Sequence, residues 1–183
     1  MITSEIVAPN DFDEGLFREA IYHTGLRDFD YWETQVLADP RILAILLSLI
    51  GEEDQRLAWR CGWIVDHVAV RSPLMLSDKL PMLITPFLSS RNSSLLRHLS
   101  RILCQYTIPE NYLGSIINRC FDLIASDGPV AVRVNTMQLL FNLTRHIPEL
   151  KGELIAVLER LLEEQSSEGL INRTNRLLRQ LRS

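Results

Sequence analysis

The sequence predicts an all-α protein, a stack of about four helical pairs behind an irregular helical cap. Three observations predict it: apolar residues recur at helical spacing, prolines punctuate the chain at nearly regular intervals, and an arginine recurs in step with them. No alternating run is long enough for a sheet; Val130 to Val134 alternates briefly, but inside a longer helical pattern.

Residues 1–39 carry Phe12, Leu16, Phe17, Ile21 and Tyr22, then Tyr31, Trp32, Val36 and Leu37, which read as two short helices covering the open end of the stack. After them, Pro40, Pro73, Pro109 and Pro148 each stand at the start of an apolar helical segment, where a missing N–H costs little. Their separations are 33, 36 and 39 residues. A second helix is expected to follow each segment, beginning near the capping residues Asp54, Asn92, Asp127 and Ser167. Five or six residues beyond each cap comes Arg60, Arg97, Arg133 or Arg173, at spacings of 37, 36 and 40. Two markers thus agree on a period of about 37, the signature of stacked helical repeats.

Within the units the helical stripes are explicit. Leu57, Cys61, Ile64, Val65 and Val68 share one helix face, as do Val130, Val134, Met137 and Phe141. Pro81 and Pro86 are expected to kink or split the helix after Pro73. The last helix has a single stripe of Leu170, Ile171, Leu177, Leu178 and Leu181, which reads as a capping repeat with a polar outer side. Residues 1–39 are therefore expected to form a cap region and residues 40–183 the repeat stack, within one structural domain.

The stretch Phe121-Asp-Leu-Ile-Ala-Ser-Asp127-Gly-Pro-Val-Ala-Val-Arg133, followed by Met137-Gln-Leu-Leu140, resembles a HEAT repeat, a helical pair related to the armadillo type. Residues 47–68 resemble it more loosely, and residues 83–103 and 158–178 more loosely still, so the resemblance spans about residues 40–182. It implies a short right-handed α-α superhelix with the second helices on its concave side, and a scaffold that binds other macromolecules.

Composition places the chain among soluble globular proteins, with 46% hydrophobic and 23% charged residues. The longest apolar stretch, Ile42 to Ile50, is about half a membrane span. No secretory pattern opens the sequence, so a cytoplasmic location is expected. Cys61, Cys104 and Cys120 lie inside apolar helical patterns and read as core residues. The net charge of −4 hides a split: residues 1–54 sum to −9 and residues 55–183 to +5.

Nothing in the chain reads as catalytic. His23, His67, His98 and His146 lie in separate segments with no second ligand four residues further on, so no metal is expected. A glycine-rich phosphate loop and a GxSxG elbow are both missing, and no cofactor is expected.

Two candidate binding surfaces remain. Trp59, Arg60, Trp63, Asp66 and His67 sit on the helix after Asp54, with both tryptophans turned about 200° from its core stripe. Aromatic rings beside arginine favour recognition, while burial against the N-terminal helices is the structural alternative. Trp63 to Ala69 is similar to the WDxVDxxA stretch of DNA-alkylation-repair glycosylases, with tryptophan and aspartate three apart instead of four and the first aspartate lacking. The second surface joins Arg97, Arg101 and Gln105 with Asn135, Gln138, Asn142 and Arg145, and with Asn172, Arg176 and Arg179, as an amide-and-arginine groove for an acidic or extended peptide. A pI of about 5.6 argues against nucleic acid. The expected function is a non-catalytic interaction module for a protein or peptide. The alternatives are a nucleic-acid-acting relative of those glycosylases and an accessory or chaperone subunit of an enzyme.

Overall fold

The computed structural model describes residues 14–25, 28–164 and 167–183; Phe12 lies outside them. Every regular element among the described residues is helical. The chain divides into two compact units, residues 1–86 and 87–183, so the expected cap region falls within the first.

The first unit holds α1 (Glu14–Tyr22), α2 (Phe29–Ala38), α3 (Pro40–Ile50) and α4 (Gln55–Arg71). Pro40 opens α3 at N1, and the Asp39 side chain accepts from the Arg41 N–H. Asp54 caps α4 in the same way, accepting from the Arg56 and Leu57 N–H groups at 3.0 Å each. The predicted stripe on α4 is fully buried from Leu57 to Val68. Helix α4 pairs with α3 and also receives α1 and α2. There Phe17, Ile21, Trp32 and Val36 are buried, and Trp32 meets Phe17 edge-on at 5.4 Å. Leu16 and Leu37, expected to join them, are more than half exposed.

Charged staples tie these helices together. Arg18 grips Glu52 with two hydrogen bonds of 2.7 and 2.5 Å, which hold the Glu52 carboxyl below its usual range. Arg71, at the end of α4, reaches Asp30 at 2.8 Å and also Glu33, both on α2.

The segment after Pro73 is split, but ahead of both interrupting prolines. Pro73 opens a single 3-10 turn, Pro73–Leu76, and α5 (Leu80–Ser89) begins beyond a short turn. Pro81 then lies in the first turn of α5, where its missing N–H is harmless. Pro86 sits inside the helix.

The second unit contains α6 (Ser93–Leu103), a 3-10 turn at Glu110–Tyr112, α7 (Leu113–Ala125), α8 (Val130–Leu143), α9 (Leu150–Glu163) and α10 (Glu168–Arg182). Helices α7 and α8 form one pair and α9 and α10 the next. Helix α8 also lies against both α6 and α10, so the second helices form a continuous layer. Asn92 caps α6, accepting from Ser94 at 3.0 Å and Leu95 at 3.3 Å. The expected cap at Asp127 is not formed. Gly128 and Pro129 intervene, and the Pro129 carbonyl accepts from Val132 and Arg133 while Asp127 stays exposed. Ser167 does begin α10, through its carbonyl and not its hydroxyl.

The buried face of α8 is rotated from the predicted stripe. Val132, Thr136, Met137, Leu139, Leu140 and Leu143 are buried, while Val130 is 39% exposed and Val134 and Phe141 are half-buried. A helix packed against a first helix and two second helices needs a wider apolar arc than one stripe supplies. On α10 the expected stripe is buried except at Ile171, with Thr174 added to it.

The period of the sequence reappears as the span of the bonds between second helices. The Asn135 amide donates to the Arg97 carbonyl at 3.0 Å and the Asn142 amide to the Cys104 carbonyl at 2.9 Å, both 38 residues away. Arg173 bonds Gln138 across 35 residues, and Thr174 approaches the Met137 sulfur across 37.

Asn142→Ala is expected to cost about 1 kcal/mol in chemical denaturation, because the Cys104 carbonyl loses its donor. Deleting residues 167–183 should expose Leu154, Leu158 and Leu161 of α9, all buried in the intact chain. A truncated protein that stays monomeric with an unchanged melting midpoint would contradict the capping role. Because Glu52 is held below its usual range, the Arg18–Glu52 contribution is complete above about pH 4.3 and fades as pH falls through the lowered value. Arg18→Gln should therefore destabilise the protein at neutral pH and leave a smaller further loss on acidification than in the parent, as read by denaturation at several pH values.

Candidate functional site

Among the described residues the recurrent arginines donate to uncharged oxygens and none of them pairs with a carboxylate. Arg133 donates from Nε to the Ile124 carbonyl at 2.9 Å, satisfying an orphan group at the end of α7. Arg60 donates to the Thr24 carbonyl, the residue whose hydroxyl accepts from Trp32 at 2.8 Å. Arg173 donates to the Gln138 side chain. The Nε atoms of Arg60 and Arg173 are buried without a hydrogen-bond partner, and burial pushes both guanidinium pKa values down. Arg97 is exposed.

The α4 candidates separate by depth. Trp59 and Trp63 stack at 5.6 Å with a 32° tilt, and His67 meets Trp63 edge-on at 6.4 Å. These three rings, one turn apart, form a half-buried ladder along the helix. Arg60 lies 5.1 Å from the centre of the Trp59 ring. Asp66, by contrast, is fully buried. The carboxylate that the glycosylase resemblance would place on an open surface is in the core.

The second candidate surface lies within the second unit. Asn135 and Asn142 are spent on carbonyls of α6, and Gln138 bridges Asn142 at 2.7 Å to Arg173 of α10. The Cys104 thiol joins the seam by donating to the Asn135 carbonyl at 3.3 Å, and burial pushes its pKa to about 12. The amides are therefore stitching between the helices, and of the candidate residues Arg97, Arg101, Asn172 and Arg176 are the exposed ones.

Charge is sorted by layer. Helices α6, α8 and α10 carry seven arginines and one acid, Glu168 in the first turn of α10. The first helices α7 and α9 carry four acids and three bases. Arg97, Arg101, Arg176, Arg179 and Arg182 are exposed, the last bonded to Glu159 and Arg179 to the Asn175 carbonyl at 3.3 Å. Arg145, just past the end of α8, stacks 5.5 Å from the centre of the Phe141 ring.

Sequence reasoning missed two contributors. Arg119 of α7 donates to the Ser90 carbonyl at 2.6 Å and to the Phe87 carbonyl at 3.4 Å, with only its place on a first helix as a cue. The second is a cleft beside the C-terminal ends of α6 and α8, lined by Tyr106, Ile108 and Leu143 among others. It depends on chain segments far apart in sequence and has no linear signature. Among the described residues no three His, Cys, Asp or Glu side chains gather to hold a metal, and no helix is long and apolar enough to cross a membrane.

Comparison with known proteins agrees with this architecture. A family model for a HEAT repeat domain matches residues 23–181, which takes in α2 and extends the repeat region ahead of Pro40. Neither the curated proteins nor the solved structures offer a significant match. With its helical pairs, its second-helix layer and a match over most of its length, the chain belongs to the HEAT repeat family.

Proposed function

We propose that the chain is a non-catalytic scaffold whose α6–α8–α10 layer binds an acidic segment of a protein partner. The observation that carries this reading is the imbalance of seven arginines to one acid on those three helices, with Arg97, Arg101 and Arg176 exposed. Arginine suits the role, because its planar fork meets a carboxylate with two parallel hydrogen bonds. Helix α8 is held between α6 and α10, so its half-exposed Gln138 and Phe141 mark the open side of the layer.

The scale of the field favours a short acidic segment over nucleic acid. A duplex accumulates affinity from many phosphates along a charged rod, and the chain as a whole is net −4. A few carboxylates need only local complementarity, since charges beyond about 8 Å are largely screened at physiological salt. Residues 87–183 sum to +3 and residues 1–86 to −7, which leaves the positive side concentrated in the second unit.

Fluorescence anisotropy with a labelled peptide of alternating glutamate and glycine tests the reading. Saturable binding is expected at about 0.15 M salt. It should weaken at least tenfold when Arg97, Arg101 and Arg176 are all changed to glutamate, as expected for three lost ion pairs. A lysine–glycine peptide should not bind. Equal binding of both peptides, or a duplex oligonucleotide that displaces the acidic one at the same salt, would overturn the proposal.

A further inference from the structure

A cleft of about 270 Å³ opens at the C-terminal ends of α6 and α8. Tyr106, Ile108, Leu113, Leu143 and Ile147 supply its apolar walls. The volume falls just below the range of about 300–1,000 Å³ that holds small-molecule ligands, and it suits one bulky side chain. Asn142 also lines the cleft while belonging to the α6–α8 seam, so the cleft adjoins the second-helix layer.

Two arginines lie close along the chain to its lining residues. Arg145 precedes the lining residue His146, and Arg101 lies one turn before Gln105, whose amide donates to the Arg101 carbonyl at 3.3 Å beside the lining residue Tyr106. Both arginines are exposed. Glu110, also exposed, stands at the cleft, and the carbonyl ends of two helices converge there. Those groups disfavour an anion inside the cleft while the flanking arginines favour one beside it. A comparable cleft of about 230 Å³ between α7 and α9 is lined by Asp122, Glu153 and Glu164 against one arginine, Arg160, which is bonded to Glu164 at 2.9 Å, so its lining is net acidic.

Resting on the peptide-binding reading, we propose that the cleft takes one leucine- or phenylalanine-class side chain from the same acidic segment whose carboxylates meet Arg101 and Arg145. The segment would then be recognised in two parts. Carboxylates supply attraction and register along the arginines, and the apolar residue supplies a desolvated anchor.

The test uses the full chain and three labelled peptides: glutamate–glycine with one central leucine, the same peptide with serine for leucine, and a lysine version of the leucine peptide. The leucine peptide should bind about tenfold more tightly than the serine peptide, as burial of one aliphatic side chain implies. Thr107→Trp, at an exposed position lining the cleft, should erase that ratio while leaving serine-peptide binding unchanged. His146→Trp fills the cleft from its other side and serves if the first variant melts early. Arg145→Glu should weaken both acidic peptides alike. Equal binding of the leucine and serine peptides to the parent protein would overturn the anchor and leave the acidic-segment reading standing. Loss of all peptide binding would overturn both, and tight binding of the lysine peptide would overturn the charge argument.

Discussion

The lateral contact between second helices is the constraint from which the second unit is built. A helix in this position must bury one arc against its own first helix and others against the second helices before and after it. Helix α8 shows the consequence: six buried residues spread well beyond one stripe, with Thr136 among them, its hydroxyl bonded to the Val132 carbonyl at 3.0 Å. Apolar packing alone would tolerate sliding of one helix along the next. The amides of Asn135 and Asn142, seven residues apart, each bond a carbonyl 38 residues earlier, and two such bonds on one helix face fix the axial register. The repeat length of the sequence is thus the helix-to-helix offset that these bonds require.

Arginine takes two different parts in the molecule. In the first unit Arg18, Arg60 and Arg71 are staples, each tying α1 or α4 to another segment. Arg133 and Arg119 do similar work in the second unit by satisfying carbonyls at the ends of α7 and α5. A guanidinium is well suited to this, because one rigid fork reaches an orphan carbonyl without losing its charge. What remains on the surface of α6 and α10 is a separate population with no carboxylate on the same helices except Glu168. Asp30 and Glu33 neutralise Arg71 and Glu159 pairs with Arg182, while Arg97 and Arg176 stand exposed on helices whose one acid is Glu168.

Much of the fold was legible because its marks are periodic. Prolines at helix starts and arginines near the next helix registered the repeat independently, and Asp54 and Asn92 cap as their residue types imply. Asp127 misled because a Gly-Pro pair moves the helix start two residues onward, and proline's fixed φ lets its own carbonyl begin the ladder. The rotated core of α8 was hidden because neighbours on three sides are a tertiary fact that one helix's stripe does not encode. The candidate site was legible in residue type and not in role. Asn135, Gln138 and Asn142 stood out as a polar stripe, and their use in bonding neighbouring helices needs the structure. Asp66 looked like an open-surface companion of the tryptophans, yet it is fully buried while their rings are half-buried.

The seam and the arginines are connected by one geometric fact. If the polar residues of α8 faced water unpaired, the open side of the layer would be a mixed amide surface with weak preferences. Because they are turned sideways onto carbonyls of α6 and the guanidinium of α10, the neutral donors are consumed between the helices. Beside the neutral Asn172, Asn175 and Gln180, the flanking helices α6 and α10 then expose Arg97, Arg101, Arg176 and Arg179. Their tips reach several ångströms beyond the backbone, and at physiological salt the field they make extends about one Debye length further, near 8 Å. A ligand within that distance responds to the local excess of arginine and little to the −4 of the whole chain. The same residues that fix the register of the stack thereby leave charge as the chief chemical character of its open side.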